Sequence, residues 1–141
     1  MIKNAIIEIK GTQENDGEEN VIELNTEGRY GFQNGEYFIS YDESELSGLG
    51  DVKTVLLLKK NNTAILSRSG AFESRLEIEK GKRSVSVYRT TEGEMMLGIY
   101  GETIDYQLND TGGQVSLCYT VDSDLMLISR NTVNISVRGE Q

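Results

Sequence analysis

The chain has no histidine, no proline, no tryptophan and a single cysteine among its 141 residues. Without imidazole there is no Ser-His-Asp or Cys-His unit, no general base that titrates near neutral pH and no ordinary zinc site. Cys118 alone cannot form an internal disulfide, and a lone thiol is usual for chains in a reducing compartment. Cytoplasm is therefore the expected location. Met1 to Ile9 lacks the apolar core of a signal peptide, because Glu8 interrupts it, and no apolar run approaches membrane-spanning length, so no membrane partner is expected. Positive charge is also scarce: 14 Lys and Arg against 23 Asp and Glu leave a formal net charge of −9. Such a surface repels phosphate backbones, which removes nucleic acid from the expected partners.

What is present is glycine, 15 residues of it, in turn pairs between runs of alternating apolar and polar residues. That combination is what many short antiparallel strands require, and it leaves helices almost no room. Asn34-Gly35 is the strongest turn signal, since both residues tolerate the positive φ of a type I′ hairpin. Asn61-Asn62, Gly81, Glu92-Gly93 and Gly112-Gly113 mark further reversals. The phase of the strands is readable. Tyr37, Ile39 and Tyr41 share one face; Leu76 and Ile78 oppose Arg75 and Glu77; Ile104, Tyr106 and Leu108 oppose Asp105 and Gln107; Val115, Leu117, Tyr119 and Val121 repeat the arrangement. Val55 to Leu58 is apolar on both faces, which points to a loop or a second subunit covering its outer side.

Roughly ten such segments follow one another with no break in composition, so residues 1–141 read as a single all-β domain. A twisted sheet of that width curls, and closure removes its exposed edges. The expected fold is one antiparallel closed or nearly closed barrel of about 8–10 strands, with a two-sheet sandwich as the alternative. Acidic Gln13–Asn20 reads as a mobile hairpin loop, and Ser44–Asp51 as the longest ordered connection.

No catalytic, metal or phosphate motif overlies this pattern, and neither an enzymatic activity nor a cofactor is expected. Asp16-Gly17-Glu18 lacks the alternating ligands of a calcium loop. Asp42, Glu43 and Glu45 form a tight acidic cluster beside a strand end, but carboxylates in a connection are usually solvated. Cys118 lies opposite Leu117 and Tyr119, with no sequence neighbour that would activate a thiol. The residues out of place are arginines. Arg68 is in step with Ala64 and Leu66 and so points along the apolar face, whereas Arg75 is out of step with Leu76 and Ile78. Arg130 sits where the alternation slips between Leu127 and Asn131, as at a bulge that re-aims side chains. An inward arginine must be paired, because an isolated buried charge is too costly to keep. Glu43 or Glu45 across the barrel mouth are the expected partners. Three readings follow: an internal ion pair that closes one barrel end; a pocket in which Arg68, Arg130, Glu43, Glu45 and Tyr41 receive a small anionic or amphipathic molecule; or a place on the surface, where the phase is misread. Tyr37, Tyr106 and Tyr119 would add aromatic walls. A non-catalytic interaction module, assembled as a homodimer through Val55, Leu57, Met95 or Leu97, is the alternative function.

Five segments in order carry a family likeness: Ile9-Lys10-Gly11-Thr12-Gln13; Ile39-Ser40-Tyr41 running into Glu43-Ser44-Glu45-Leu46; Arg68-Ser69-Gly70; Glu79-Lys80-Gly81-Lys82-Arg83; and Leu127-Ile128-Ser129-Arg130-Asn131. Taken together the chain resembles the DUF1934 proteins of bacteria, over nearly its whole length. The resemblance implies a calycin-like barrel distantly similar to lipocalins, and it implies no activity. The lipocalin tryptophan and disulfide pair are missing, so transport of hydrophobic ligands outside the cell is not implied.

Overall fold

The computed structural model describes residues 2–42, 52–70 and 73–140, and all of the regular structure in them is strand. No helix among these residues is long and apolar enough to cross a membrane. The strands are β1 (Ile2–Asn15), β2 (Glu18–Gln33), β3 (Glu36–Asp42), β4 (Val52–Lys59), β5 (Thr63–Gly70), β6 (Glu73–Glu79), β7 (Arg83–Thr90), β8 (Gly93–Asn109), β9 (Gly112–Ser123) and β10 (Met126–Gly139). Each pairs with its neighbours in sequence, and β10 pairs back to β1 from Ala5 opposite Gly139 to Glu14 opposite Arg130. The result is a closed up-and-down antiparallel barrel, not a sandwich.

Turn chemistry accounts for the path. Asn34 and Gly35 both hold positive φ, as a type I′ hairpin requires, and Asn61 and Asn62 do the same between β4 and β5. The expected loop at Gln13–Asn20 is instead a continuation of both strands, ended by a two-residue turn at Asp16-Gly17 with φ of 47° and 81°. Its acidic residues occupy strand positions, because a solvated hairpin arm accepts charge on both faces. Ser44–Asp51 lies outside the described residues. Gly112 and Gly113 are not the reversal itself, which is made by Asp110 and Thr111; they open β9 where its neighbours come very close. A Cβ on Gly113 would sit 1.9 Å from the Gln107 carbonyl oxygen.

Register rows show how the interior fills. Ile39, Leu56, Leu66 and Leu76 are consecutive partners across β3 to β6, and Leu24, Ile9, Ile135, Val115 and Tyr106 across β2, β1, β10, β9 and β8. Most are buried, with Ile7, Ile39, Leu56, Ile78, Ile99 and Leu117 fully so. Burial of each such side chain stabilises the fold by about 1.5–3 kcal/mol. The middle of the barrel is thus occupied by the chain's own residues. At the end that carries the β2–β3 turn, Tyr30 and Tyr37 stack with ring centroids 6.0 Å apart. Their hydroxyls donate to the carbonyls of Asn109 at 2.6 Å and Leu108 at 3.0 Å. Outward Leu57 stands between Phe38 and Ile65 on the same outer face, and Val55 between Ser40 and Ser67.

Two measurements test this packing. Gly28 passes so close to β3 and the core that an added Cβ would lie 2.2 Å from the Ser40 carbonyl oxygen and 2.4 Å from Ile7 Cδ1, whereas nothing stands within 4 Å of one on Gly11. Gly28→Ala should therefore lower the urea-unfolding free energy by about 1–3 kcal/mol or more, and Gly11→Ala should leave it nearly unchanged. Burial, with Tyr37 and Asp110 nearby, pushes the Tyr30 hydroxyl up to about 12 from 10.0. The folded state then keeps a proton that the unfolded state loses, so this contribution is complete below pH 10.0 and disappears as pH rises towards 12. Tyr30→Phe should flatten the fall in stability over that interval.

Candidate functional site

The sheet alternation places Arg68 inside. Its register partners are Thr54 on β4 and Ser74 on β6, both buried, and the row continues to Tyr41 on β3 and Tyr88 on β7. This polar row lies one step above the apolar row of Leu56, Leu66 and Leu76, near the barrel end opposite the tyrosine stack. Tyr41, Thr54, Arg68 and Tyr88 are each held by interactions of their own. Glu43 and Glu45, the partners expected for an inward arginine, lie outside the described residues.

Beside this row the wall opens. The β6–β7 ladder consists of Glu73 opposite Arg89 and Ser74 opposite Tyr88, and further along the Ser84 hydroxyl donates to the Glu77 carbonyl at 2.8 Å in place of a ladder bond. A cleft of about 470 Å³ follows the seam. Arg68, Arg75 and Arg89 border it, as do Ser67, Ser69, Ser74 and Ser86, with Glu73, Glu77, Val85 and Val87 completing the rim. Three of the chain's seven arginines thus meet in one place. Arg89 is paired with Glu94 at 2.9 Å. Arg75, outward and opposite Ser67, makes no ion pair among the described residues.

Arg130 is not part of this site. The slip in alternation is a real register shift between Leu127 and Ser129, but it turns buried Ser129 inward and Arg130 outward. There Arg130 Nη2 lies 3.0 Å from Glu102 Oε2. Glu102 also accepts from Cys118 Sγ at 3.7 Å, and the Thr132 hydroxyl donates to that sulfur at 3.8 Å. The thiol is therefore on the outer face, as its phase indicates, yet buried beneath an ion pair. Tyr37 and Tyr106 stand at the opposite end, with ring centroids 6.0 Å apart, so of the expected aromatic walls only Tyr41 belongs to the row of Arg68.

A second ion pair escapes sequence reading altogether. Arg83 on β7 reaches across β8 to Asp122 on β9 in a two-pronged contact, Nε to Oδ2 at 2.9 Å and Nη2 to Oδ1 at 2.6 Å. The strand between them carries Gly98, where a Cβ would lie 2.2 Å from the guanidinium; only glycine leaves the channel open. Asp122 Oδ1 also accepts the Leu125 amide at 3.1 Å and so holds the β9–β10 turn. The hydrogen bonds from Arg83 keep the Asp122 carboxyl below its usual range, and those from Arg130 do the same for Glu102. Depressed carboxylates are fixed anions, not proton donors near neutrality. Among the described residues no three His, Cys, Asp or Glu side chains form a cation site.

On the far side of the barrel, the outer face of β2, β1, β10, β9 and β8 forms a shallow concavity of about 960 Å³. Its side chains, among them Glu8, Lys10, Asn134, Ser116 and Asp105, are the solvated halves of the alternating strands.

The model of the family described as "Domain of unknown function (DUF1934)" matches residues 7–135. The chain belongs to the DUF1934 family. Among its relatives is the "Uncharacterized beta-barrel protein YwiB" of Bacillus subtilis, 28% identical over 113 residues that cover 80% of this chain and 78% of that one. The crystal structure of the YwiB protein superimposes with a TM-score of 0.86 over 99% of this chain and 94% of that one, at 24% identity. The two proteins share the barrel fold.

Because Gly98 is the passage through which Arg83 reaches Asp122, Gly98→Ala should displace the guanidinium. Carbon-detected NMR titration should then show the Asp122 carboxyl moving up towards the ordinary aspartate range. A group depressed in the folded state stabilises above its unfolded pKa and loses that contribution as pH falls through the folded value. Gly98→Ala should therefore remove part of the wild-type fall in stability on acidification.

Proposed function

We propose that this protein is a non-catalytic binding barrel that takes a small amphipathic anion at the β6–β7 seam. The observation that carries the reading is the convergence of Arg68, Arg75 and Arg89 on one cleft in a chain whose formal net charge is −9. Elsewhere such a chain repels anions; here guanidinium groups and serine hydroxyls supply charge-assisted donors of the kind that recognise carboxylate or phosphate. Val85 and Val87 on the rim give the apolar part of the molecule a surface to lie on. A site in the barrel wall agrees with the burial of Leu56, Leu66 and their neighbours in the interior. A buried free thiol at Cys118 fits a reducing compartment such as the cytoplasm.

Thermal-shift titration with inorganic phosphate and with succinate tests the proposal. Wild-type protein should gain stability with ligand, by about 2.7 kcal/mol when the ligand reaches a hundred times its Kd. Arg75→Ala, an exposed substitution that spares the fold, should abolish most of that gain, and Arg68→Ala should do so as well. No shift in the wild type with either anion, or an undiminished shift in both variants, would reject the site.

A further inference from the structure

The β6–β7 seam offers backbone groups as well as guanidinium groups. From Arg75 to Glu79, β6 is laddered to β5 alone, and from Arg83 to Val87, β7 is laddered to β8 alone. The Ser84 hydroxyl donates to the Glu77 carbonyl at 2.8 Å and the Lys82 amide to the Glu79 carbonyl at 3.1 Å. Glu77 and Glu79 therefore turn their peptide groups towards β7. Backbone groups face alternate sides of a strand residue by residue, so Arg75 and Glu73 do the same. Arg89 stands opposite Glu73, and Val85 and Val87 share its phase on β7. The amides of Arg75, Glu77, Val85 and Val87 thus face the cleft, with the carbonyls of Arg75 and the two valines, and have no ladder partner among the described residues. Val85 and Val87, 54% and 38% exposed, stand two residues apart on one wall. On the other is Arg75, which makes no ion pair among the described residues.

We infer that the ligand of this cleft is the C-terminal end of an extended peptide with apolar last residues. The inference rests on the anion-binding reading above and names its ligand class. Amides and carbonyls without a ladder partner are what an added extended segment pairs with. A carboxylate that carries no peptide groups leaves them to water. Arg75 takes the terminal carboxylate through charge-assisted hydrogen bonds, and Arg68 adds positive charge from the inner side. Alternate side chains of an extended peptide point the same way, so one set lies against Val85 and Val87. From Arg75 to Glu79 the seam is about 13 Å long at about 3.3 Å per residue, which matches about four residues of extended chain. The Glu77 carboxylate, on the same face as Arg75, repels an acidic residue upstream of the terminus. The upstream residues are therefore neutral or basic.

Isothermal titration calorimetry with the peptide acetyl-Ala-Val-Val-Leu provides the test. With its carboxylate free, the peptide should bind wild-type protein at least tenfold more tightly than isocaproate, which has a carboxylate and a leucine-like tail but no peptide group. Amidation of its C-terminus, N-methylation of both its valines and Arg75→Ala in the protein should each weaken binding by at least tenfold. In amide NMR spectra the peptide should shift the signals of Arg75, Glu77, Val85 and Val87. Isocaproate or succinate binding as tightly as the peptide, or equal binding of the N-methylated peptide, overturns the inference and leaves an anion site. So does an inert peptide beside bound succinate or phosphate. No binding of peptide, isocaproate, succinate or phosphate rejects the site and the inference together.

Discussion

The constraint on which this molecule depends is an interior lined mainly by its own apolar side chains, with one polar row of Thr54, Arg68 and Ser74 near one end. Ile7, Ile39, Leu56, Leu66, Leu117 and Ile135 belong to one buried core, in rows that run from strand to strand except across the β6–β7 seam. Burial of this kind is the dominant favourable contribution to folding. The arginines stand in the wall and on the outer face, except Arg68, whose phase is inward.

The three arginine environments show how much context governs the same side chain. Arg83 is locked to Asp122 through the gap at Gly98 and holds a turn. Arg130 is paired with Glu102 on the outer surface, over Cys118. Arg68 and Arg75 instead border a cleft, from the inner and outer faces of adjacent strands, where the wall between β6 and β7 parts. The first two stabilise local structure; the last two border the cleft together with Arg89, which is itself paired with Glu94. Departure from regular pairing at the seam is thus what distinguishes a potential binding site from ordinary surface ion pairs.

Period-2 alternation made the strands and their faces legible, because each strand has one wet side: the inward phase of Ile39, Leu76, Leu117 and Arg68 follows from neighbours two residues away. Arg130 could not be placed in that way. A single extra residue at a bulge reverses every later side chain, and the residue at which the reversal occurs is set by pairing with β9. The Arg83–Asp122 pair joins residues 39 apart across an intervening strand, so no local spacing announces it. The seam is equally silent in sequence, since β6 and β7 both read as ordinary strands and only their divergence in space creates the cleft. Asp16-Gly17, in contrast, carried a plain turn signal, hidden by the acidic residues on either side.

Closure by β1 and β10 has a bearing on how the molecule is made. Ala5 must find Gly139, and Ile9 must find Ile135. During synthesis the first nine strands can zip up in order, each onto the one before, but the free side of β1 has no partner until β10 has emerged. For that interval a strand rich in isoleucine presents an unpaired edge to every other nascent chain nearby. The time spent as an open sheet is then the interval in which the folding chain is most open to edge-to-edge pairing with another copy.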